Sequence, residues 1–132
     1  MLHFPYIDGA KQVVVLGAGF DTLAWRLSTE FDSIRFIEVD HPATSKDKNE
    51  ALIEQIKSTT NYYFAAVDFA RESLLDALSG CQFFNHDLQS VFVCEGVLMY
   101  LSEQDVELLL SSVRRLTAQQ AQLIFTALEP LD

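Results

Sequence analysis

Residues 13–22 read V-V-V-L-G-A-G-F-D-T, and this stretch decides the fold. Its run of apolar, mostly β-branched residues predicts a central strand covered on both faces. Gly17 and Gly19 predict a tight turn from that strand into a helix, since they allow a close approach that a Cβ would block. Ligands of open α/β sheets bind outside the carboxyl ends of the strands. We therefore expect an α/β domain with its site at this turn.

The rest of the chain alternates short apolar runs with segments of helical period, which is typical of βαβ units. Right-handed crossovers between parallel strands then give a doubly wound, mainly parallel Rossmann-like sheet of about five strands, with helices on both faces. The predicted strands cover residues 12–16, 33–39, 62–67, 89–94 and 122–128. The predicted helices cover residues 21–28, 42–57 and 72–78 and a segment that begins after residue 102.

The last predicted helix carries the clearest local signals. Ser102, followed three residues later by Asp105, is typical of a capping box. A core-facing stripe at the spacing i, i+3, i+4 and i+7 is formed by Val106, Leu109, Leu110 and Val113. In the second predicted helix, Leu52, Ile53 and Ile56 share one face.

Composition excludes several classes of function. The chain has 132 residues, 19 acidic and 9 basic, for a formal net charge of −10. Nucleic acids and anionic membranes bind to basic patches, so we expect neither as a partner. No run approaches the ~18 apolar residues of a membrane span, and no signal peptide pattern opens the chain. We expect a cytoplasmic protein.

The cysteines and histidines do not predict a metal site. Cys81 and Cys94 lack the spacing of metal ligands, and His3, His41 and His86 are scattered. We interpret each cysteine as a small buried apolar residue rather than as a nucleophile or a disulfide partner.

Acidic residues recur where the predicted strands end, at Asp40, Asp68 and Glu95, and we expect hardly any basic residue near them. Carboxylates around one crevice suit a cationic nucleoside such as S-adenosylmethionine and repel a phosphorylated one. In this architecture, the acid after the second strand accepts hydrogen bonds from ribose hydroxyls. Asp40 has that position, and Glu38 competes with it because both share the same strand parity. Asp68 can accept from an exocyclic amino group, and Phe69 can flank an adenine.

A nicotinamide-dependent oxidoreductase is the alternative from another class. A dinucleotide fingerprint calls for a small residue where this chain has Thr22,. Asp21 stands at the helix entry, where a pyrophosphate would otherwise bind, and its charge repels phosphate. Both residues argue against this alternative.

Four segments in order resemble the leucine carboxyl methyltransferase family of class I S-adenosylmethionine-dependent methyltransferases, over about residues 13–128. They are L-G-A-G-F-D-T-L-A-W-R-L, F-I-E-V-D-H-P, V-D-F and C-E-G-V-L-M-Y-L. The resemblance implies that Gly17 and Gly19 pass under the methionine of S-adenosyl-L-methionine and that Asp40 holds its ribose. It also implies that Asp68 and Phe69 frame the adenine and that Glu95 lies near the sulfonium. The implied reaction is methylation of a small-molecule or peptide carboxylate, with no catalytic side chain and no metal.

Members of that family are longer than this chain. We therefore expect residues 1–132 to form a single S-adenosylmethionine-binding domain that lacks the N-terminal helices and the C-terminal strands of the family. A cofactor-binding remnant without turnover is the alternative within this class. We also expect poor solubility, or a homo-oligomer that forms through the exposed edge of the fifth strand.

Overall fold

The computed structural model describes residues 9–16, 23–69, 71–95, 102–117 and 122–126. Within these ranges, strands and helices alternate along the chain. The strands are β1 (Gln12–Leu16), β2 (Arg35–Asp40), β3 (Tyr62–Ala66), β4 (Ser90–Glu95) and β5 (Gln122–Thr126). The helices are α1 (Leu23–Glu30), α2 (Pro42–Lys57), α3 (Leu74–Ser79) and α4 (Glu103–Leu116).

The five strands form one parallel sheet in the order β3-β2-β1-β4-β5. From β1 the chain builds outward through β2 to β3, and it then returns to the other side of β1 to form β4. Leu16 at the end of β1 is therefore paired with Val39 on one side and with Cys94 on the other. This order confirms the predicted doubly wound sheet and places its topological switch point between β1 and β4.

Two apolar layers cover the sheet, one on each face. Val13 and Val15 of β1 pack with Ala24 and Leu27 of α1 on the first face. The alternate residues of β1 pack with α3 and α4 on the second face,. All five residues of β1 are buried, as expected for a central parallel strand.

A buried glutamine fixes the start of β1. The Nε2 of Gln12 donates to the Asn85 carbonyl at 3.0 Å and to the Ser90 Oγ at 2.9 Å. Its Oε1 accepts from the Asn85 backbone N–H at 3.0 Å. These bonds satisfy a side chain with no solvent exposure and attach β1 to the segment that leads into β4.

The capping box that Ser102 and Asp105 predict at the start of α4 is confirmed. Ser73 caps α3 in a similar way by accepting from the Asp76 backbone N–H. Helix α3 therefore begins at Leu74 and not at residue 72, and α1 ends at Glu30 and not at residue 28. Strand β2 begins and ends later than predicted, at residues 35 and 40, and β4 extends to residue 95.

The predicted apolar stripes are only partly confirmed. In α4, Leu109 and Val113 are buried, but Val106 and Leu110 are half-buried, and Ser112 and Leu116 are buried beside the stripe. In α2, Leu52 has non-helical backbone angles (φ −116°, ψ 16°), and Ile53 is 41% exposed. Among the described residues, no helix has the length and apolar character needed to cross a membrane.

Candidate functional site

A cleft lies beside the carboxyl end of β1, on the face that α3 and α4 cover. Leu16 contributes the end of β1, and α3 and α4 form the walls. The cleft therefore lies at the switch point of the sheet, where open α/β folds bind their ligands. The lining residues are Leu16, Phe69, Glu72, Ser73, Leu74, Asp105, Leu108, Leu109 and Ser112.

Two large apolar side chains of this lining are exposed to solvent. Phe69 is 45% exposed and Leu108 is 56% exposed. Among the described residues, Ile53 on α2 is the only other large apolar side chain with comparable exposure. Apolar side chains left exposed in a concave site are typical of ligand pockets. Phe69 thus lines the cleft, which fits the aromatic role predicted for it.

Asp40 is the last residue of β2 and is half-buried. Its Oδ1 accepts a hydrogen bond from the His41 backbone N–H at 2.8 Å. The Nδ1 of His41 in turn accepts from the backbone N–H of Ala43 at 3.1 Å. These two bonds shape the turn that leads from β2 into α2, so the position of Asp40 depends on how this turn is held.

Asp68 follows β3, the neighbouring strand, and its side chain is 32% exposed. The Nε2 of His41 lies 3.9 Å from the Asp68 Oδ2, and the Nε of Arg71 lies 3.8 Å from the same oxygen. His41 therefore contacts both Asp40 and Asp68, so the structure brings these two predicted acids together. The expectation that few basic residues lie near the acids is wrong at Asp68.

Glu38, the competing ribose acceptor, lies in a buried polar cluster. Its Oε2 lies 2.8 Å from the Lys48 Nζ, and its Oε1 accepts from the Tyr62 Oη at 3.1 Å. The carboxylate has no solvent exposure, and both of its oxygens are occupied by protein donors. Between the two alternatives, this geometry favours Asp40 as the acid that can face a ligand.

Burial dominates the electrostatics of this cluster. It raises the pKa of the Glu38 carboxyl, and the nearby Lys48 ammonium offsets part of that rise. Burial, followed by the Glu38 charge, also raises the pKa of the Tyr62 hydroxyl. Neither Lys48 nor Tyr62 was predicted from the sequence as part of a site. No spacing signal identifies them, because they come from α2 and β3 and meet Glu38 only in the folded chain.

The remaining predicted site residues are described only in part. Gly17 and Gly19 lie outside the described residues. Glu95 ends β4 and is paired with Thr126, but its side chain lies outside the described part of the chain.

The prediction of a small buried residue is confirmed for Cys94, whereas Cys81 is only half-buried. Cys94 has no solvent exposure, and burial raises the pKa of its thiol to about 12. Burial also raises the pKa of the Cys81 thiol. A thiol is reactive as the thiolate, so raised pKa values argue against covalent chemistry at either position.

In the described part of the chain, no three histidine, cysteine or carboxylate side chains are grouped as metal ligands.

Sequence comparison identifies one family. The family described as leucine carboxyl methyltransferase matches residues 4–114. Leucine carboxyl methyltransferase 1 of Caenorhabditis elegans is 30% identical in an alignment that covers 80% of this chain and 39% of that protein. A putative S-adenosyl-L-methionine-dependent methyltransferase of Bacillus subtilis, YktD, is 33% identical over 114 residues, which cover 86% of this chain and 37% of that protein. The chain thus spans about two fifths of the length of these curated relatives.

Structural comparison agrees with the fold. The apo crystal structure of the S-adenosylmethionine-dependent methyltransferase SibL superposes with a TM-score of 0.69 at 15% sequence identity. The match covers 92% of this chain and 32% of that one. At this identity, the superposition shows that the two proteins share an architecture.

Proposed function

The chain belongs to the leucine carboxyl methyltransferase family, and on that basis we propose that it is an S-adenosyl-L-methionine-dependent methyltransferase. Two observations support the proposal beyond family membership: His41 contacts both Asp40 and Asp68, and Phe69 lines a cleft at the switch point. A ribose acceptor, an acceptor for a base amino group and an aromatic side chain are the groups that an adenosine requires.

We assign the cofactor contacts residue by residue. Asp40 accepts hydrogen bonds from the ribose hydroxyls, Asp68 accepts from the adenine amino group, and Phe69 packs on the adenine ring. Gly17 and Gly19 allow the methionine part to approach the backbone, and Glu95 lies near the sulfonium. Support for the two acids comes from their place at neighbouring strand ends, and support for Phe69 comes from its place in the cleft lining. Support for the glycines and Glu95 comes from the motifs that they share with the family.

Charge favours a sulfonium nucleoside over a dinucleotide. Asp40 and Asp68 lie at the ends of the neighbouring strands β2 and β3, and Glu95 ends β4 on the other side of β1. Glu72 and Asp105 line the cleft itself. Two like charges about 4 Å apart repel by roughly 1 kcal/mol in water and by more at a lower dielectric. His41 and Arg71 offset part of the charge at Asp68, but the described lining of the cleft carries two acids and no basic side chain. We therefore expect a pyrophosphate to meet repulsion there and a positively charged sulfur to meet attraction.

We propose a carboxylate oxygen as the methyl acceptor, on a small molecule or on a peptide. The oxygen attacks the methyl carbon in line with the carbon–sulfur bond, whose electron pair stays on sulfur, giving an ester and S-adenosylhomocysteine. A carboxylate is ionised at neutral pH, so the step needs no general base. The protein then contributes alignment of the two reactants and exclusion of water. We accordingly assign no catalytic side chain.

Binding and turnover are tested separately. Isothermal titration calorimetry compares S-adenosylhomocysteine with NAD, and radiolabelled S-adenosylmethionine tests transfer to a peptide with a C-terminal leucine and to small carboxylic acids. We expect S-adenosylhomocysteine to bind and NAD not to bind. Binding together with a labelled ester supports the full proposal, and binding without transfer supports the cofactor-binding remnant instead. Preferential binding of NAD would overturn both.

We propose that residues 1–132 act as a single cofactor-binding domain. In the described sheet, β5 is an edge strand, and an uncovered edge invites pairing with another chain. We propose homo-oligomerisation through this edge. Sedimentation of a clean monomer at working concentration would contradict it.

A further inference from the structure

Helix α2 contacts the sheet through an ion pair. Of the α2 side chains that the structure describes, Lys48 is the only one that is fully buried, at 3% exposure. Its ammonium lies 2.8 Å from the Glu38 carboxylate, which is completely buried in the middle of β2. Tyr62 of β3 completes the cluster from the neighbouring strand. An apolar stripe, the usual means of attaching a helix to a sheet, is weak here because Ile53 is exposed.

The ion pair lies next to the proposed ribose acceptor. Glu38 and Asp40 are two residues apart on β2, so their side chains emerge on the same face of the sheet. Helix α2 begins at Pro42, directly after His41, whose backbone N–H donates to the Asp40 carboxylate. The Glu38–Lys48 ion pair therefore links β2 to α2. Asp40 lies in the segment of chain that this ion pair closes, just before the turn into α2.

The energetics of burial point to a specific role for this loop. Removing two charges from water costs several kcal/mol per ion, and a well-packed apolar pair of similar volume is often at least as stable. Stability alone therefore does not explain a buried lysine here. An ion pair with an added tyrosine hydrogen bond is directional, in contrast to apolar packing. It therefore fixes one position of α2 relative to β2.

We infer that Lys48 is a positioning residue for the cofactor. By pairing with Glu38, it fixes the position of α2 relative to β2. It thereby holds the Asp40 carboxylate where this carboxylate accepts hydrogen bonds from the ribose hydroxyls. This inference rests on the proposed function. Lys48 is assigned no contact of its own with the ribose or the base. Its contribution acts through the β2–α2 turn and should appear in ribose recognition specifically, beyond any effect on folding.

Ribose recognition is measured as a ratio of two dissociation constants. The ligands are S-adenosylhomocysteine and its 2′-deoxyribose analogue, both titrated calorimetrically well below the melting temperature of each variant. The variants are Lys48→Met, the double variant Lys48→Met with Glu38→Gln, and Asp40→Ala. Lys46→Met is the matched control, because Lys46 is an exposed lysine on the same helix.

We expect the wild-type chain to prefer the ribose form by about tenfold, the value of one hydrogen bond to a charged group. This preference should collapse in Asp40→Ala and in both Lys48 variants, and it should persist in Lys46→Met. A purely structural role for Lys48 would lower the melting temperature and leave the ratio intact, and that result would overturn the inference.

Folding failure does not block the test. If Lys48→Met does not fold by circular dichroism, the double variant decides, since it buries no unpaired charge. Collapse of its ratio supports the inference, and retention overturns it. If the proposed function is wrong, the wild-type chain itself does not bind S-adenosylhomocysteine. That result would overturn the proposed function and the inference together. If Asp40→Ala loses the preference while both Lys48 variants keep it, only the inference fails.

Discussion

The carbonyl oxygen of Asp40 accepts a hydrogen bond from the backbone N–H of Val67 at 2.8 Å. This bond attaches the end of β2 to the residue directly before Asp68. The two proposed adenosine acceptors are thus held by the sheet ladder at neighbouring strand ends, and their spacing does not depend on a long loop.

Replacing Asp40 by alanine tests its role directly. We expect Asp40→Ala to weaken binding of S-adenosylhomocysteine by about 1–3 kcal/mol, because the ribose hydroxyls lose a charged acceptor. Calorimetric titration measures the change. Asp47→Ala, which removes an exposed acid of α2, controls for net charge and should have little effect. Unchanged affinity in Asp40→Ala would remove the ribose role from this residue.

Phe69→Ala tests the aromatic side chain in the cleft. We expect nucleoside affinity to fall about fivefold, in line with the ~1 kcal/mol of an aromatic stacking contact. The melting temperature should change little, since the side chain is 45% exposed. Ile53→Ala is the matched control, because it truncates an apolar residue of similar exposure outside the cleft lining. Equal affinity losses in both variants would argue against a specific contact at Phe69.

Lys48→Met tests the stability of the buried cluster. Removal of one partner leaves the Glu38 carboxylate uncompensated, so we expect a loss of about 3–5 kcal/mol in the free energy of unfolding. Lys46→Met should stay within about 0.5 kcal/mol of the wild type, because its side chain is exposed. Urea denaturation measures both variants. A loss below about 1 kcal/mol in Lys48→Met would contradict the buried ion pair.

The raised pKa of the Glu38 carboxyl has a defined consequence for pH. A carboxyl whose pKa is higher in the folded state favours folding at low pH, and this contribution is lost as the pH rises from 4.5 through the folded value. Wild-type stability, measured against the double variant Lys48→Met with Glu38→Gln, should therefore decline over that range and then level off. Urea titrations from pH 4 to pH 7 measure this difference. An increase with pH would contradict the direction of the shift.

The element order could be predicted from the sequence because its signals are local. Consecutive β-branched residues, a serine with an acid three positions later, and helical apolar spacing each act within one or two turns of the chain. The capping box of Ser102 and Asp105 is such a case. The proximity of Asp40 and Asp68 could be predicted for a different reason: parallel strands end at one edge of the sheet.

The buried cluster could not be predicted because its members are distant along the chain. Lys48 and Tyr62 lie 10 and 24 positions after Glu38, on different elements. In sequence, Lys48 lies among polar neighbours and is typical of a solvated helix face. Strand parity could not decide between Glu38 and Asp40, because both share it. Their position along β2 decides: Glu38 is flanked by Val15 and Phe64 in mid-strand, whereas Asp40 is the last residue.

The central place of β1 also governs how the cleft can open. Its backbone amides are paired within a sheet buried on both faces, so hydrogen exchange there requires cooperative opening of the sheet. Helix α3 is only six residues long, and its amides exchange through local fraying. We therefore expect the amides of β1 to exchange more slowly than those of α3, although Leu74 and Leu78 anchor α3 in the apolar layer beside the cleft.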